Sequence, residues 1–384
     1  MAASLADGKS ALPALVSIAV ITVFGAFFLH AESQEVVLGL VALGIVGIAV
    51  LIRLRWNDRV FASLAAHTAA SRIATALGLA AILVVFHDQH FPMLMLASVL
   101  LYTVVCLGLT VQFGYAGVVN FAGAAFFGIG AYTSAVLGPH LWHPAVVLAG
   151  GAMSVLIGSL LILPVLRTRG HYAALITVAF GILFRTFIEV NDTLGGPQGL
   201  QIKGMNLFGW DLNTGITIGG VGISFYANYV VLALGLAAVA FAAVRRLERS
   251  WLGLNLDAVR LDETACTVFG INVGRWKILA FSFGNFLAGI AGSVYGMMTG
   301  FVAPNSFTFG DSLILVSIVI LGGMGNLWGV ALASTIVLVL PEKLQALQEY
   351  RFLLYAALVI VILVFKPDGL LPRRARNYIP GWKP

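Results

Sequence analysis

Few side chains of this 384-residue sequence are placed to do covalent chemistry. It holds seven histidines, two cysteines and 16 Asp and Glu. The histidines make no HxxxH or similar ligand spacing. His87 and His90 flank one gap between apolar runs, and His140 and His143 flank another, as residues of a membrane interface do. Cys106 lies inside an apolar run and Cys266 in a polar stretch, so they are expected at different depths and unpaired, and neither belongs to a CxxC spacing. The glycines of GGMGN, residues 322–326, suggest a phosphate loop, but no GK[ST] follows and no strand precedes. No nucleophile has a neighbouring base, and no carboxylates pair at catalytic spacing. The chain reads as a protein that is no enzyme and binds no metal or cofactor. If ATP and Mg drive it, another chain holds them.

One polar stretch carries a legible device. In RLDETACTVFGINVGRWK, residues 260–277, Asp262 suits an N-cap, Glu263 complements a helix N-terminus, and Gly270 suits the position after a C-cap. Between them ETACTVF makes about two turns, with Ala265, Val268 and Phe269 on one apolar edge. A helix this short is not stable alone in water, so it is expected to dock on something.

The elements around it are apolar. The chain is 60% hydrophobic and 10% charged, against about 25% charged in a soluble domain. Apolar runs fall at 11–30, 36–52, 73–87, 92–111, 118–138, 144–166, 172–190, 227–244, 277–300, 310–326, 329–341 and 351–366. Runs of this length read as spans, and their continuity argues against a β-barrel. The fold class is an all-α polytopic membrane protein of about 10–12 transmembrane segments. The first run is long for a signal-peptide core and reads as a retained span.

With a cytoplasmic N-terminus, alternation puts the loops at 53–72, 167–171 and 245–276 and the end after 366 inside. With Lys9 at the N-terminus, and Lys277 and Lys366 at the boundaries, these hold 18 of the 22 Lys and Arg; Arg185, Lys203, Lys343 and Arg351 are the rest. So one-sided a bias sets orientation, and it accounts for the net charge of +6 without nucleic acid. Both termini are then cytoplasmic. The organisation reads as extra spans and a loop at 1–72, a core at 73–372 containing the cytoplasmic loop 245–276, and a basic tail at 373–384. The outside loop 191–226, with its Gly195, Gly196, Pro197 and Gly199, serves either a partner or mere connection.

Two glycine-broken stretches interrupt the runs: FGYAGVVNFAGAAFFGIGAY (113–132) and ILGGMGNLWG (320–329). Irregular backbone at membrane depth survives only where protein or a water-filled cavity covers it, and paired interruptions point to a translocation path. Gly114, Gly117, Asn120, Gly322, Gly323, Gly325 and Asn326 are the candidates to frame it. Asn120 and Asn326 either line the path or cap broken helices. Only Glu189 and Asp311 are acidic within the runs, near their ends, which weighs against an ion-coupled carrier. Arg185 and Glu189, four apart, either pair structurally or meet a zwitterionic solute. Gly289, Gly292 and Gly296 read as helix-packing positions.

DETACTVFGINVGRWKILAFSFG resembles the cytoplasmic coupling segment of ABC importer permeases, in the form found in branched-chain amino acid permeases of the LivM type. GYAGVVNFAGAAFFGIGAY, PVLRTRGHYAALITVAFG, GGPQGL, GFVAPNSFTFGDSLILVSIVILGGMGNLWG and KPDGLLPR are similar to the same family over about 92–372. The importer motif, EAA followed by three residues and Gly, is matched by Ala265, Cys266 and Gly270. Thr264 stands where its Glu would be, and Glu263 is one place early. The resemblance implies an ABC importer permease fold in a bacterial inner membrane. Its partners would be a second, LivH-type permease, two cytoplasmic ATPases carrying ATP and Mg, and a periplasmic substrate-binding protein. The implied substrate is a hydrophobic or branched-chain amino acid. A related importer for urea, an amide or another amino acid is the alternative reading, with an ion-coupled carrier or a lipid-modifying membrane enzyme behind it. Asp262, Glu263, Ala265, Cys266, Val268, Phe269 and Gly270 would couple the chain to an ATPase.

Overall fold

The structure, a computed structural model, describes residues 11–31, 33–53, 63, 68–168, 171–207, 209–218 and 221–343, with 350, 353, 356, 357, 360, 364, 369–371 and 373. In hydrocarbon each peptide group must find its partner within the chain, and an apolar run meets that demand as a helix. Helices occupy eleven of the twelve runs: α1 (Leu12–His30), α2 (Gln34–Arg53), α3 (Thr68–Val85), α4 (His90–Thr110), α5 (Gly123–Leu137), α6 (His143–Arg167), α7 (His171–Val190), α8 (Tyr226–Arg249), α11 (Val273–Thr299), α12 (Phe309–Gly322) and α13 (Leu327–Lys343). The run at 351–366 falls mostly outside the described residues. Between α8 and α11 lie α9 (Trp251–Leu261) and α10 (Glu263–Val268). The chain is an all-α polytopic membrane protein, and seven of its described helices are long and apolar enough to cross a bilayer.

Local chemistry sets the helix ends. Proline sits in the first turns of α1 and α6, where a missing N–H costs nothing. Thr308 and Asp311 close a reciprocal capping box on α12, Asn272 caps α11, and Gly300 ends α11 at φ +70°.

The chain divides into two compact units. The first comprises 1–93, 216–227 and 341–349. Within it α3 packs on α1, where Gly78 admits the Thr22 side chain. Lys343 Nζ donates to the carbonyls of Leu29 (2.6 Å) and Ala31 (3.1 Å) at the end of α1, where a cation is favoured. His90 Nδ1 lies 2.8 Å from Ser224 Oγ.

The second unit comprises 94–215, 228–340 and 350–384. Its stem is α11, buried along most of its length against α4, α5 and α6. Small residues let these backbones touch. A Cβ on Gly130 would strike the Gly289 carbonyl, one on Gly292 the Phe127 carbonyl, and one on Gly108 the Gly284 carbonyl at 2.6 Å. Ser293 Oγ donates to Gly130 O (2.9 Å) and Ser154 Oγ to Phe126 O (3.0 Å) across these seams. The expectation that Gly289, Gly292 and Gly296 are packing positions therefore holds. On the loop side, β1 (Leu200–Gln201) pairs antiparallel with β2 (Phe301–Val302). The run expected at 118–138 yields only the 15-residue α5, about 22 Å long, because residues 111–122 leave the α-helix.

The packing predicts a contrast. Gly292→Leu places a side chain on the Phe127 carbonyl and should cost at least the 1–3 kcal/mol of ordinary overpacking, roughly. Gly235→Leu on α8 meets nothing within 4 Å and should be neutral. Thermal unfolding of the detergent-solubilised protein measures both; equal Tm values would contradict the backbone contact.

Candidate functional site

The polar stretch is a helical arm. α8 runs on to Arg249, α9 follows, and Asp262 joins α9 to α10. Its extended backbone (φ −156°, ψ 107°) turns the chain, and its carboxylate accepts from Thr264 N (2.8 Å) and Ala265 N (3.0 Å). At the far end Gly270 takes φ +77°. Gly270 N donates to Thr267 O and Ile271 N to Cys266 O (2.9 Å), the paired bonds of a Schellman close. Glu263 meets Lys277 Nζ at 2.6 Å. A six-residue helix thus has both ends satisfied.

Its faces differ from the expected edge. Cys266 is buried and free, and Ala265 is half-buried. Val268 and Phe269 stand in the open, 80% and 83% exposed, and Leu261 of α9 joins them at 77%. Ala265 is therefore less exposed than Val268 and Phe269. α9 itself was read as loop. The signal was present, for Leu256 and Val259 recur on its buried side, but its charges masked the period.

The structure brings the two glycine-broken stretches together. α4 widens into a π turn, Val111–Tyr115. There a Cβ on Gly114 would lie 2.5 Å from Gly325 N. Tyr115 Oη donates to Gly325 O (3.2 Å). Gly117 (φ +65°), Gly323 (φ +99°) and Gly325 (φ +90°) adopt backbone that favours glycine. Gly322 packs on Gly329 across the turn. Asn326 Oδ1 accepts from Trp328 N (3.0 Å) and Gly329 N (3.2 Å), capping α13.

Asn120 is buried among polar partners. Its Oδ1 accepts from Ala122 N (2.9 Å) ahead of α5, while its Nδ2 donates to Gln112 Oε1 (2.8 Å) and Asn285 Oδ1 (3.3 Å). Gln112 Nε2 in turn donates to Asn285 Oδ1 and Phe281 O, both at 3.0 Å. These three amides are fully buried, and Asn285 Nδ2 has no hydrogen-bond partner among the described residues. Sequence reasoning passed over Gln112 and Asn285 because each is a lone polar residue in an apolar run.

It also passed over Asp257 and Arg373. Arg373 was grouped with the tail by its charge, yet it forms a forked pair with Asp257, Nη1–Oδ1 2.6 Å and Nη2–Oδ2 2.7 Å. The two side chains are only 15% and 11% exposed. Arg185 stands 3.9 Å from Glu189 and donates to Asn305 Oδ1 (2.9 Å). Among the described residues no His, Cys, Asp and Glu gather as a metal site.

Comparison with known proteins adds a family. Residues 91–363 match the model described as branched-chain amino acid transport system / permease component. The chain is 35% identical to the high-affinity branched-chain amino acid transport system permease protein LivM of Salmonella typhimurium over 289 residues, 71% of this chain and 68% of that protein. It is 35% identical to LivM of Escherichia coli over 291 residues, with the same shares covered. LivH of Salmonella typhimurium is 24% identical over 309 residues, 75% of this chain and 96% of that protein. No solved structure matches.

The capping geometry yields a measurable expectation. Asp262→Ala removes the oxygen that accepts both bonds and should destabilise α10 by about 0.5–2 kcal/mol. Hydrogen exchange at the Thr264 and Ala265 amides should then quicken about 2- to 30-fold. Unchanged exchange would mean that neighbouring contacts, and not the cap, hold the helix.

Proposed function

The chain belongs to the branched-chain amino acid permease family and is a permease subunit of an ABC importer, and from that premise we propose that its arm receives a cytoplasmic ATPase. The observation that carries this reading is the exposed apolar surface of Leu261, Val268 and Phe269 on a helix capped at both ends. Exposed apolar side chains on a helix already fixed at both ends favour a partner, since less ordering entropy remains to be lost on docking. Phe269 is its anchor, as buried aromatics dominate interfaces. Glu263 and Arg260 sit at the rim and tune association. Ala265 lets the partner approach closely, Cys266 holds α10 against the permease, and Asp262 and Gly270 fix its ends. Two ATPases, bearing ATP and Mg, act on this chain and on a second permease related to LivH, and closure of the ATPases moves the docked helices.

The site residues divide the rest of the work. Gly114, Gly117, Gly322, Gly323 and Gly325 frame the translocation path as close-packed breaks, with Asn326 fixing one helix start beside it. Asn120, with Gln112 and Asn285, supplies neutral amides in the interior. Asp257 is the one charged residue among the buried polar groups described, and it is paired. Such an interior suits a solute of no net charge, and a hydrophobic amino acid delivered by a periplasmic binding protein fits the names of the relatives. The chain then lies in a bacterial inner membrane with both termini cytoplasmic.

Two experiments test the proposal. Ala265→Glu with Phe269→Ala alters no span and should leave membrane insertion intact. Substrate-stimulated ATP hydrolysis and uptake should collapse, or the ATPases should fall away on purification; parental transport would refute the docking surface. For orientation, single cysteines at Lys203 and at Arg249, in a background without Cys106 and Cys266, should react with an impermeant maleimide from opposite sides. Reaction of both from the periplasm would reverse the map.

A further inference from the structure

The Arg373 guanidinium joins three segments that lie far apart in the sequence. It grips Asp257 of α9 through a two-point fork. It donates to the carbonyl of Gly114 (3.3 Å) and lies with Cζ 4.5 Å over the Tyr115 ring, both in the first glycine break. Its Cδ occupies the space beside Gly325 in the second break, where a Cβ would come within 2.6 Å of it. We propose that Arg373 is a positioning residue for energy coupling, fastening the arm to both glycine breaks so that movement of the arm is delivered to them. This rests on the reading of the arm as an ATPase dock.

The surroundings make the fastening stiff. The segment before Arg373 is tied to the end of α12, with Leu370 N donating to Leu321 O (2.8 Å) and Leu371 N to Gly322 O (3.3 Å). These carbonyls belong to the last turn of a helix and lack partners within it. Gly369, at φ +84°, lies so close that a Cβ would come within 2.6 Å of Gly323 Cα. The arginine is therefore anchored by its backbone to the second break and by its side chain to the first break and the arm. A second strut runs in parallel, for Arg260 of α9 lies across Gly117, its Cγ 3.2 Å from a Cβ placed there. Asp262 alone separates α9 from α10, so force on Phe269 has a short, hydrogen-bonded route to the breaks.

The residue type matters. A guanidinium offers parallel N–H groups to a carboxylate and a flat face to an aromatic ring, both used here. An ammonium keeps the charge and loses the fork, the stacking and the bond to Gly114. Arg373→Lys therefore separates positioning from mere charge balance, and Asp257→Asn removes the charge with almost no change of shape.

The test uses the complete importer in nanodiscs, with its ATPases and its binding protein loaded with leucine. Basal ATP hydrolysis, its stimulation by the loaded binding protein, and leucine uptake into proteoliposomes are measured for Arg373→Lys, Asp257→Asn and Asp257→Asn/Arg373→Gln. We expect all three to yield assembled complex, the single variants less of it because one charge is left unpaired; per complex, basal hydrolysis should be kept while stimulation and uptake fall about 3- to 30-fold, the range for residues along a coupling route. The double variant should be no worse than the poorer single one, since the pair acts as one unit. Stimulation and uptake within twofold of the parent overturn the proposal. So does a loss that merely follows the amount of assembled complex in both single variants, which would make the pair a folding contact. Ala265→Glu/Phe269→Ala, run alongside, isolates the premise. If that variant uncouples and the Arg373 variants do not, only the present inference fails; if that variant stays coupled, the docking surface itself is wrong.

Discussion

A peptide group that leaves a helix inside hydrocarbon has no water to bond to, and the architecture around 111–122 and 322–326 answers that demand. The two interruptions are placed against each other, so each helps to enclose the other. Gly114 and Gly325 remove the side chains that would hold them apart, and the Tyr115 hydroxyl bonds a carbonyl of the opposite break. Asn326 supplies the acceptor for the N–H groups starting α13, and Asn120 does so ahead of α5. Leu370 and Leu371 bring backbone donors to carbonyls at the end of α12.

The stem helix α11 serves the same constraint on a larger scale. Lipid tails are as apolar as leucine, so helices gain little by hiding apolar faces from them. They associate through close van der Waals packing and interhelical hydrogen bonds. Glycines and serines on α5, α6 and α11 permit carbonyl contacts along three seams. A core joined at backbone level is stiff, and a stiff core can carry a displacement from the arm without absorbing it in side-chain rearrangement.

Polar groups inside this unit are economical. Gln112, Asn120 and Asn285 bond to one another and to the local backbone, leaving only Asn285 Nδ2 without a partner among the described residues, whereas an unpaired charge there would carry a large desolvation penalty. The charged pair Asp257–Arg373 escapes that penalty through two short hydrogen bonds and an aromatic face. Removing either member leaves the other nearly buried and unpaired, the costly case for an ion pair.

Read alone, the sequence determined whatever depends on neighbours along the chain. Helix positions followed from the length of apolar runs, because a single span must satisfy its own backbone. Asp262 and Gly270 marked helix ends, because a cap acts on amides or carbonyls within a few residues. The polar, capped stretch at 260–277 stood out for the same reason. Tertiary structure decided what depends on residues far apart. That Gly114 faces Gly325, that Gln112 and Asn285 share Asn120, and that a C-terminal arginine reaches back to Asp257 leave no local periodicity, because each depends on a contact across more than a hundred residues. α9 fell between the two. Its apolar period was present, but its charges read as loop until Asp257 was seen to be turned inward and neutralised by Arg373.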